Sequence, residues 1–211
     1  MIAVVDYGLG NVRAFLNVYK RLNIEATAAR CATELRSATH LILPGVGAFD
    51  HAMNLLQRSR MRESLQELVI DKGVPVLGIC VGMQILAASS EEGCLSGLSW
   101  IKARVKKFDE SKISHRTRLP HMGWNDVHTV AMSPLFDGLD REPRFYFLHS
   151  YYFHCEEEDN VLARTEYAGI FSCAVRFRNI YGVQFHPEVS GNYGNILLEN
   201  FAALVMGQQK K

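Results

Sequence analysis

The sequence predicts an α/β fold: a doubly wound, mostly parallel central sheet between helices, with an added antiparallel edge. Three observations predict it. The first half of the 211 residues alternates short apolar runs with helical periodicity, the rhythm of parallel strands joined by crossover helices. The second half is richer in strand-like runs than in helices. Apolar residues make up 48% of the chain, enough for one large core, and no Pro/Gly/Ser-rich stretch is long enough to be a linker, so residues 1–211 are expected to form a single domain.

The elements follow in order. A strand is expected at 2–6, a helix at 12–22, strands at 24–29 and 41–43, and helices within 48–57 and 62–71. A buried strand at 74–79 leads to a helix from Gly82, opened by Met83, Gln84 and Ile85. Further strands are expected at 101–108, 125–130, 144–149, 161–167, 172–178 and 180–185, some of them pairing antiparallel at one edge, before an amphipathic helix at 195–206. Lys102, Arg104, Lys106 and Lys107 alternate with Ile101, Ala103 and Val105, as on the solvated face of a strand or the rim of a protein interface. In a sheet of this kind ligands gather at the carboxyl ends of the strands.

Three loops at those ends carry chemical information. Asp6-Tyr7-Gly8-Leu9-Gly10-Asn11 follows the first strand, but Arg13 stands where a dinucleotide fingerprint needs its third glycine, so a nucleotide site is not expected. In Pro44-Gly45-Val46-Gly47, two glycines let the backbone turn its N–H groups toward a neighbouring site, as an oxyanion hole requires. Taken alone, that segment reads first as an ordinary strand-to-helix turn, and beside an elbow cysteine the preference reverses. Gly78-Ile79-Cys80-Val81-Gly82 has the strand, tight turn and helix of a nucleophile elbow, with Cys in place of Ser and a helix N-terminus that favours a thiolate.

Cys80 by itself is also readable as a buried, inert thiol. What turns the reading toward chemistry is Tyr181-Gly182-Val183-Gln184-Phe185, an apolar strand running into His186-Pro187-Glu188. It delivers an imidazole with a carboxylate two residues on, and the Pro fixes the turn between them, so nucleophile, base and orienting group are all present.

The formal net charge is +1 and the basic residues are dispersed, so neither nucleic acid nor an anionic membrane is expected as a partner. Five cysteines, at positions 31, 80, 94, 155 and 173, are odd in number, widely spaced and without a Cys-x-x-Cys pair, which argues against a disulfide framework or a zinc site. The four other than Cys80 are expected to be buried. His121, His128, His149 and His154 lack metal-ligand spacing and read as satisfied or surface histidines. No cofactor or metal is expected. The chain begins on a strand, without a signal-like leader or an apolar run long enough to span a bilayer, so a soluble, cytoplasmic protein is expected.

With Pro44-Gly45-Val46-Gly47, Gly78-Ile79-Cys80-Val81-Gly82-Met83-Gln84 and Phe185-His186-Pro187-Glu188 in this order, the chain resembles the triad-type (class I) glutamine amidotransferases over its whole length. Within that group, Asp6-Tyr7-Gly8-Leu9-Gly10-Asn11, Pro120-His121-Met122-Gly123-Trp124-Asn125 and Phe147-Leu148-His149-Ser150-Tyr151 are similar to motifs of the glutaminase subunits of imidazole glycerol phosphate synthases. The resemblance implies a flavodoxin-like three-layer α/β/α fold. It implies that Cys80 attacks the side-chain amide of L-glutamine, that His186 carries the proton to departing ammonia, and that Glu188 holds the imidazole. Val46, Gly47 and Val81 would form the oxyanion hole, and Gly45, Gln84, Glu92, Ser150 and Tyr151 would surround the substrate. Glu92 suits its α-ammonium, and Gln84, Ser150 and Tyr151 its carboxylate.

Ammonia is mostly protonated near neutral pH and then is not nucleophilic, so such subunits dock on a synthase that receives it through a sheltered channel. The implied partner is a (β/α)₈-barrel cyclase of histidine biosynthesis, forming a heterodimer. Asn11, Trp124, Tyr146 and the 8–10 loop match positions on or near the docking face; Trp124 could otherwise sit in the core. One departure stands out: Val189-Ser190 follows Glu188 where the family commonly carries Lys-Ser. It leaves open a second pathway, in which a similar glutaminase feeds a sugar amidotransferase of surface-polysaccharide synthesis. A third reading, from another class, is a flavodoxin-like binding module with a coincidental thiol.

Overall fold

In the computed structural model, which describes residues 1–113 and 119–205, the chain opens with β1 (Ile2–Val5), a strand buried at every position. Helix α1 (Val12–Arg21) follows, its start fixed by Asn11, whose Oδ1 accepts the Ala14 N–H at 3.1 Å. Then come β2 (Ala26–Ala29), the short α2 (Ala32–Leu35), β3 (His40–Gly45), α3 (Phe49–Arg58) and α4 (Arg62–Gln66), which widens into a π turn at Glu67–Asp71. Strand β4 (Val76–Cys80) feeds α5 (Val81–Gln84).

The second half adds β5 (Ser89–Ser90), β6 (Ala103–Lys107), β7 (His121–Asp126), β8 (His128–Thr129), β9 (Arg144–His149) and β10 (Tyr151–Cys155). It closes with β11 (Val161–Glu166), β12 (Ile170–Phe177), β13 (Ile180–Val183) and α6 (Gly191–Ala202). Met206, the last residue of the helix expected at 195–206, lies outside the described residues.

The central sheet has eight strands in the order β2-β1-β3-β4-β13-β12-β11-β8. Pairings from β2 through β13 are parallel, and those from β13 out to β8 are antiparallel, which is the expected edge. Two departures concern the rest of the second half. Strands β5, β6 and β10 make a separate three-stranded sheet, and β7 and β9 make a two-stranded ribbon. The strand expected at 125–130 is two strands with different partners, because buried Val127 turns the chain between them and gives its N–H to Pro143 O at 2.9 Å. Arg104 and Lys107 face solvent while Ala103 and Val105 are buried, the alternation expected of that strand.

The helix expected from Gly82 is a single turn. Beyond it, the carbonyls of Ile85, Leu86, Ala87 and Ala88 accept from Leu98, Trp100, Ser99 and Gly97, so a returning loop takes the acceptors that another helical turn would use. Cys31 and Cys94 are exposed rather than buried, since each lies on a surface loop, whereas Cys155 and Cys173 are buried. Among the described residues no helix is long and apolar enough to cross a membrane, and no three His, Cys, Asp or Glu side chains are grouped to hold a metal ion.

Candidate active site

Sheet register sets the site. Gly45 pairs with Cys80 across β3 and β4, and Val183 pairs with Ile79 across β13 and β4, so the thiol and the segment entering His186 leave the same rim on adjacent strands. At Cys80 the backbone takes φ 55° and ψ −114°, a strained conformation for a residue with a side chain. The neighbours must therefore yield space. A Cβ at Gly82 would lie 1.8 Å from Leu43 O, one at Gly45 2.4 Å from Gly82 N, and one at Gly78 2.6 Å from Gly82 O. These glycines let three stretches of backbone pack against the elbow.

His186 Nδ1 lies 2.9 Å from Glu188 Oε1, and the imidazole lines the same pocket as the Cys80 thiol. Burial disfavours a charged imidazole here, but the acidic neighbours Cys80 and Glu188 outweigh it and push the His186 pKa up to about 10. The ring is thus poised as an imidazolium between two acidic partners. The second carboxylate oxygen, Glu188 Oε2, is buried and has no hydrogen-bond partner among the described residues, so the charge of Glu188 is balanced through His186. The backbone is held as well: the His186 N–H donates to Tyr146 O at 2.9 Å, and Ser190 Oγ donates to His186 O at 2.6 Å.

A pocket of about 320 Å³ opens over the sulfur. Val46, Gly47, Val81, Gln84, Glu92, Ser150 and Tyr151, all named from the sequence, line it together with Cys80 and His186. Gly45 does not line the pocket but sits under the elbow. A larger cavity, about 740 Å³, lies at the opposite rim, beside Pro75 and Asn179 at the amino ends of β4 and β13, away from the thiol and the imidazole.

The model of the family described as "Glutamine amidotransferase class-I" matches residues 3–204. The chain belongs to this family. The imidazole glycerol phosphate synthase subunit HisH of Bdellovibrio bacteriovorus is 57% identical to it, over 97% of this chain and 100% of that protein. The subunit of the same name from Leptospira interrogans is 50% identical over the same shares. Among solved structures, a glutamine amidotransferase superposes with a TM-score of 0.72 at 21% identity, covering 96% of this chain and 99% of the other. PurLQS from Thermotoga maritima gives 0.72 at 17%, covering 95% and 96%. At those identities the two structures bear on the fold alone.

In this class-I glutamine amidotransferase the direction of each amide at the pocket follows from hydrogen bonding. Gln84 Nε2 lies 3.0 Å from Tyr151 O and 3.1 Å from Gln184 Oε1. A carbonyl only accepts, so the Gln84 atom facing it is the nitrogen, and both its hydrogens are committed inside the protein. The polar atom of Gln84 left outside these two contacts is its Oε1. An amide oxygen of this kind is an acceptor. Glu92 Oε2 accepts the Phe49 N–H at 2.8 Å, so this carboxylate also ties its loop to the start of α3.

Several residues at the pocket were not named as site residues from sequence. Pro120, Leu148 and His149 line it, and Gln184 lies beneath the thiol. His149 Nδ1 donates to Tyr151 O at 2.8 Å, and its Nε2 accepts from His121 Nδ1 at 2.9 Å. Burial first, then the neighbouring His121 and His186, pull the His149 pKa down to about 3, so this ring is neutral beside the charged one. For Gln184 a signal existed: an amide inside the otherwise apolar run 181–185 must find buried partners.

Of the residues matched to a docking face, Asn11 is exposed and caps α1, and Trp124 is 51% exposed, its ring edge-on to Tyr146 at 6.2 Å. Trp124 is therefore not a core residue.

Proposed function

We propose that the chain is the glutaminase subunit of imidazole glycerol phosphate synthase. It hydrolyses L-glutamine to glutamate and ammonia and passes the ammonia to a (β/α)₈-barrel cyclase for histidine biosynthesis in the cytoplasm. The observation that carries this reading is the full-length 57% identity to a protein named HisH in a chain whose Cys80 and His186 line one pocket, with Glu188 hydrogen-bonded to the imidazole. The name borne by the relatives favours this pathway over the polysaccharide one. An assembled triad disfavours a binding module.

In the mechanism, the Cys80 sulfur attacks the side-chain amide carbon of glutamine and a tetrahedral oxyanion forms. Backbone N–H groups of Val46, Gly47 and Val81 are the proposed donors to it. His186 carries the proton to the amide nitrogen, ammonia leaves, and a glutamyl thioester remains. Water, deprotonated by the same imidazole, attacks the thioester and releases glutamate. Glu188 holds the ring by its Nδ1 throughout. Glu92 is the proposed partner of the α-ammonium, and Ser150 and Tyr151 of the carboxylate.

Docking is supported by the ribbon. Met122 pairs with Leu148 and Trp124 with Tyr146, placing four apolar or aromatic side chains on one face. Met122 (60% exposed), Trp124 and Leu148 are open to solvent, beside a pocket that Leu148 itself lines.

The test is glutamate release from glutamine by the chain alone and with its barrel partner. Feeble turnover alone, greatly increased in the complex and lost in Cys80→Ala, is expected. Full activity in Cys80→Ala, or none in the wild-type complex, would overturn the reading.

A further inference from the structure

We propose that Gln184 is a further catalytic residue: its side-chain N–H holds the Cys80 sulfur as an anion, in an orientation locked by Gln84 and the Tyr151 carbonyl. This deepens the function proposed above and rests on Cys80 being the nucleophile.

The argument is a chain of forced hydrogen-bond directions. Tyr151 O, already accepting from His149 Nδ1, can only accept, which makes the facing atom of Gln84 a nitrogen. The second hydrogen of that nitrogen points at the terminal atom of Gln184 3.1 Å away, which must then be the oxygen. The other terminal atom of Gln184 is therefore its NH₂ group, and it lies 3.7 Å from Cys80 Sγ, within N–H···S range. Gln184 is fully buried, and its backbone N–H is pinned to Cys173 O at 2.8 Å, so the side chain has no solvent-facing alternative.

The sulfur thus has partners of opposite kinds. Leu148 O, 3.8 Å away, can hold it only while the thiol carries its proton, because a carbonyl does not donate. Gln184 Nε2 and the charged His186 are donors, and they bind a thiolate more strongly than a thiol. Loss of the proton exchanges the first contact for the other two. The same N–H would receive the sulfur again as the leaving group when water cleaves the thioester.

Iodoacetamide alkylation of Cys80 reads the sulfur without glutamine. Gln184→Leu removes the donor at similar volume, and Gln84→Met removes the lock. With the full chain, alone and with its barrel partner, we expect the alkylation rate at pH 6 relative to pH 9 to fall about tenfold in Gln184→Leu, as loss of a charge-assisted hydrogen bond predicts. Gln84→Met should give a smaller fall, and the double variant no more than Gln184→Leu alone. In the complex, kcat for glutamine should fall while KM stays within about twofold. A purely structural role would slow alkylation equally at both pH values. A pH 6 to pH 9 ratio within about twofold of wild type, in whichever of the variants folds, overturns the proposal. Variants whose alkylation ratio falls as expected, beside a wild-type complex that releases no glutamate, would instead overturn the glutaminase reading.

Discussion

Glu92 caps a helix that begins 43 residues before it in the chain: its Oε2 accepts the N–H of Phe49 at 2.8 Å. Ala48, at the N-cap of α3, has no side chain able to do so. The tie is reciprocal, because Asp50 Oδ2 accepts from Cys94 N at 2.9 Å and Asp50 Oδ1 from Leu95 N at 3.0 Å. The loop that follows β3 and the loop that carries Glu92 are therefore one unit. Glu92→Gln keeps an acceptor for Phe49 and removes the charge. We expect its KM for glutamine to rise about tenfold or more, with unfolding free energy within about 1 kcal/mol of wild type. Glu92→Ala should lose both, and urea unfolding with steady-state kinetics of the complex separates the two roles.

Glu188→Gln retains an oxygen to orient the imidazole but not the charge that stabilises it. Glutamine turnover by the complex should drop by about 10²- to 10⁴-fold, mostly in kcat. A variant within about twofold of wild type would remove Glu188 from the triad.

Stability should fall on both sides of neutrality, through two different histidines. The folded pKa of His186 is raised to about 10, so its contribution is full below the unfolded value near 6.5 and is lost as pH rises toward 10. The folded pKa of His149 is lowered to about 3, so its contribution is full above about 6.5 and is lost as pH falls toward 3. Urea unfolding across pH should show His149→Asn flattening the acid limb and Cys80→Ala, which removes one partner of His186, flattening the alkaline limb. Unchanged limbs would contradict the assigned ionisation states.

Gly82→Ala places a methyl group 1.8 Å from Leu43 O, a clash between two backbones that no rotamer relieves. It should cost more than about 3 kcal/mol in urea unfolding. Gly138→Ala, at φ +73° with open space around it, should cost only about 1 kcal/mol.

Met122→Asp and Trp124→Asp together should weaken binding to the barrel partner at least about tenfold by calorimetry, because buried aromatic anchors carry most interface energy. Both side chains are exposed, so the melting temperature of the isolated chain should barely change. Unaltered affinity would move the docking face elsewhere.

Much of this was legible from local patterns. Buried strands such as Ile2–Val5 and Val76–Cys80 read as apolar runs because both faces of a parallel sheet are covered. The elbow was legible because the close approach of β3, β4 and α5 admits only glycine at 45, 78 and 82. Strand Tyr151–Cys155 was not, since its pairing with Ala103–Lys107 depends on residues some fifty positions away. Nor was the length of α5, which is set by which backbone donors return to Ile85 through Ala88.

The sequence by itself determined the chemistry available: a thiol on a glycine-flanked turn, an imidazole and carboxylate two residues apart, and apolar runs that oblige the chain to bury a sheet. Only the tertiary structure decided how those groups face one another. Which way Gln84 and Gln184 point, and that their amides meet at 3.1 Å from positions a hundred residues apart, depends on the register of strands distant in the chain. A hydrogen bond has a direction that residue identity leaves open until its partner is in place.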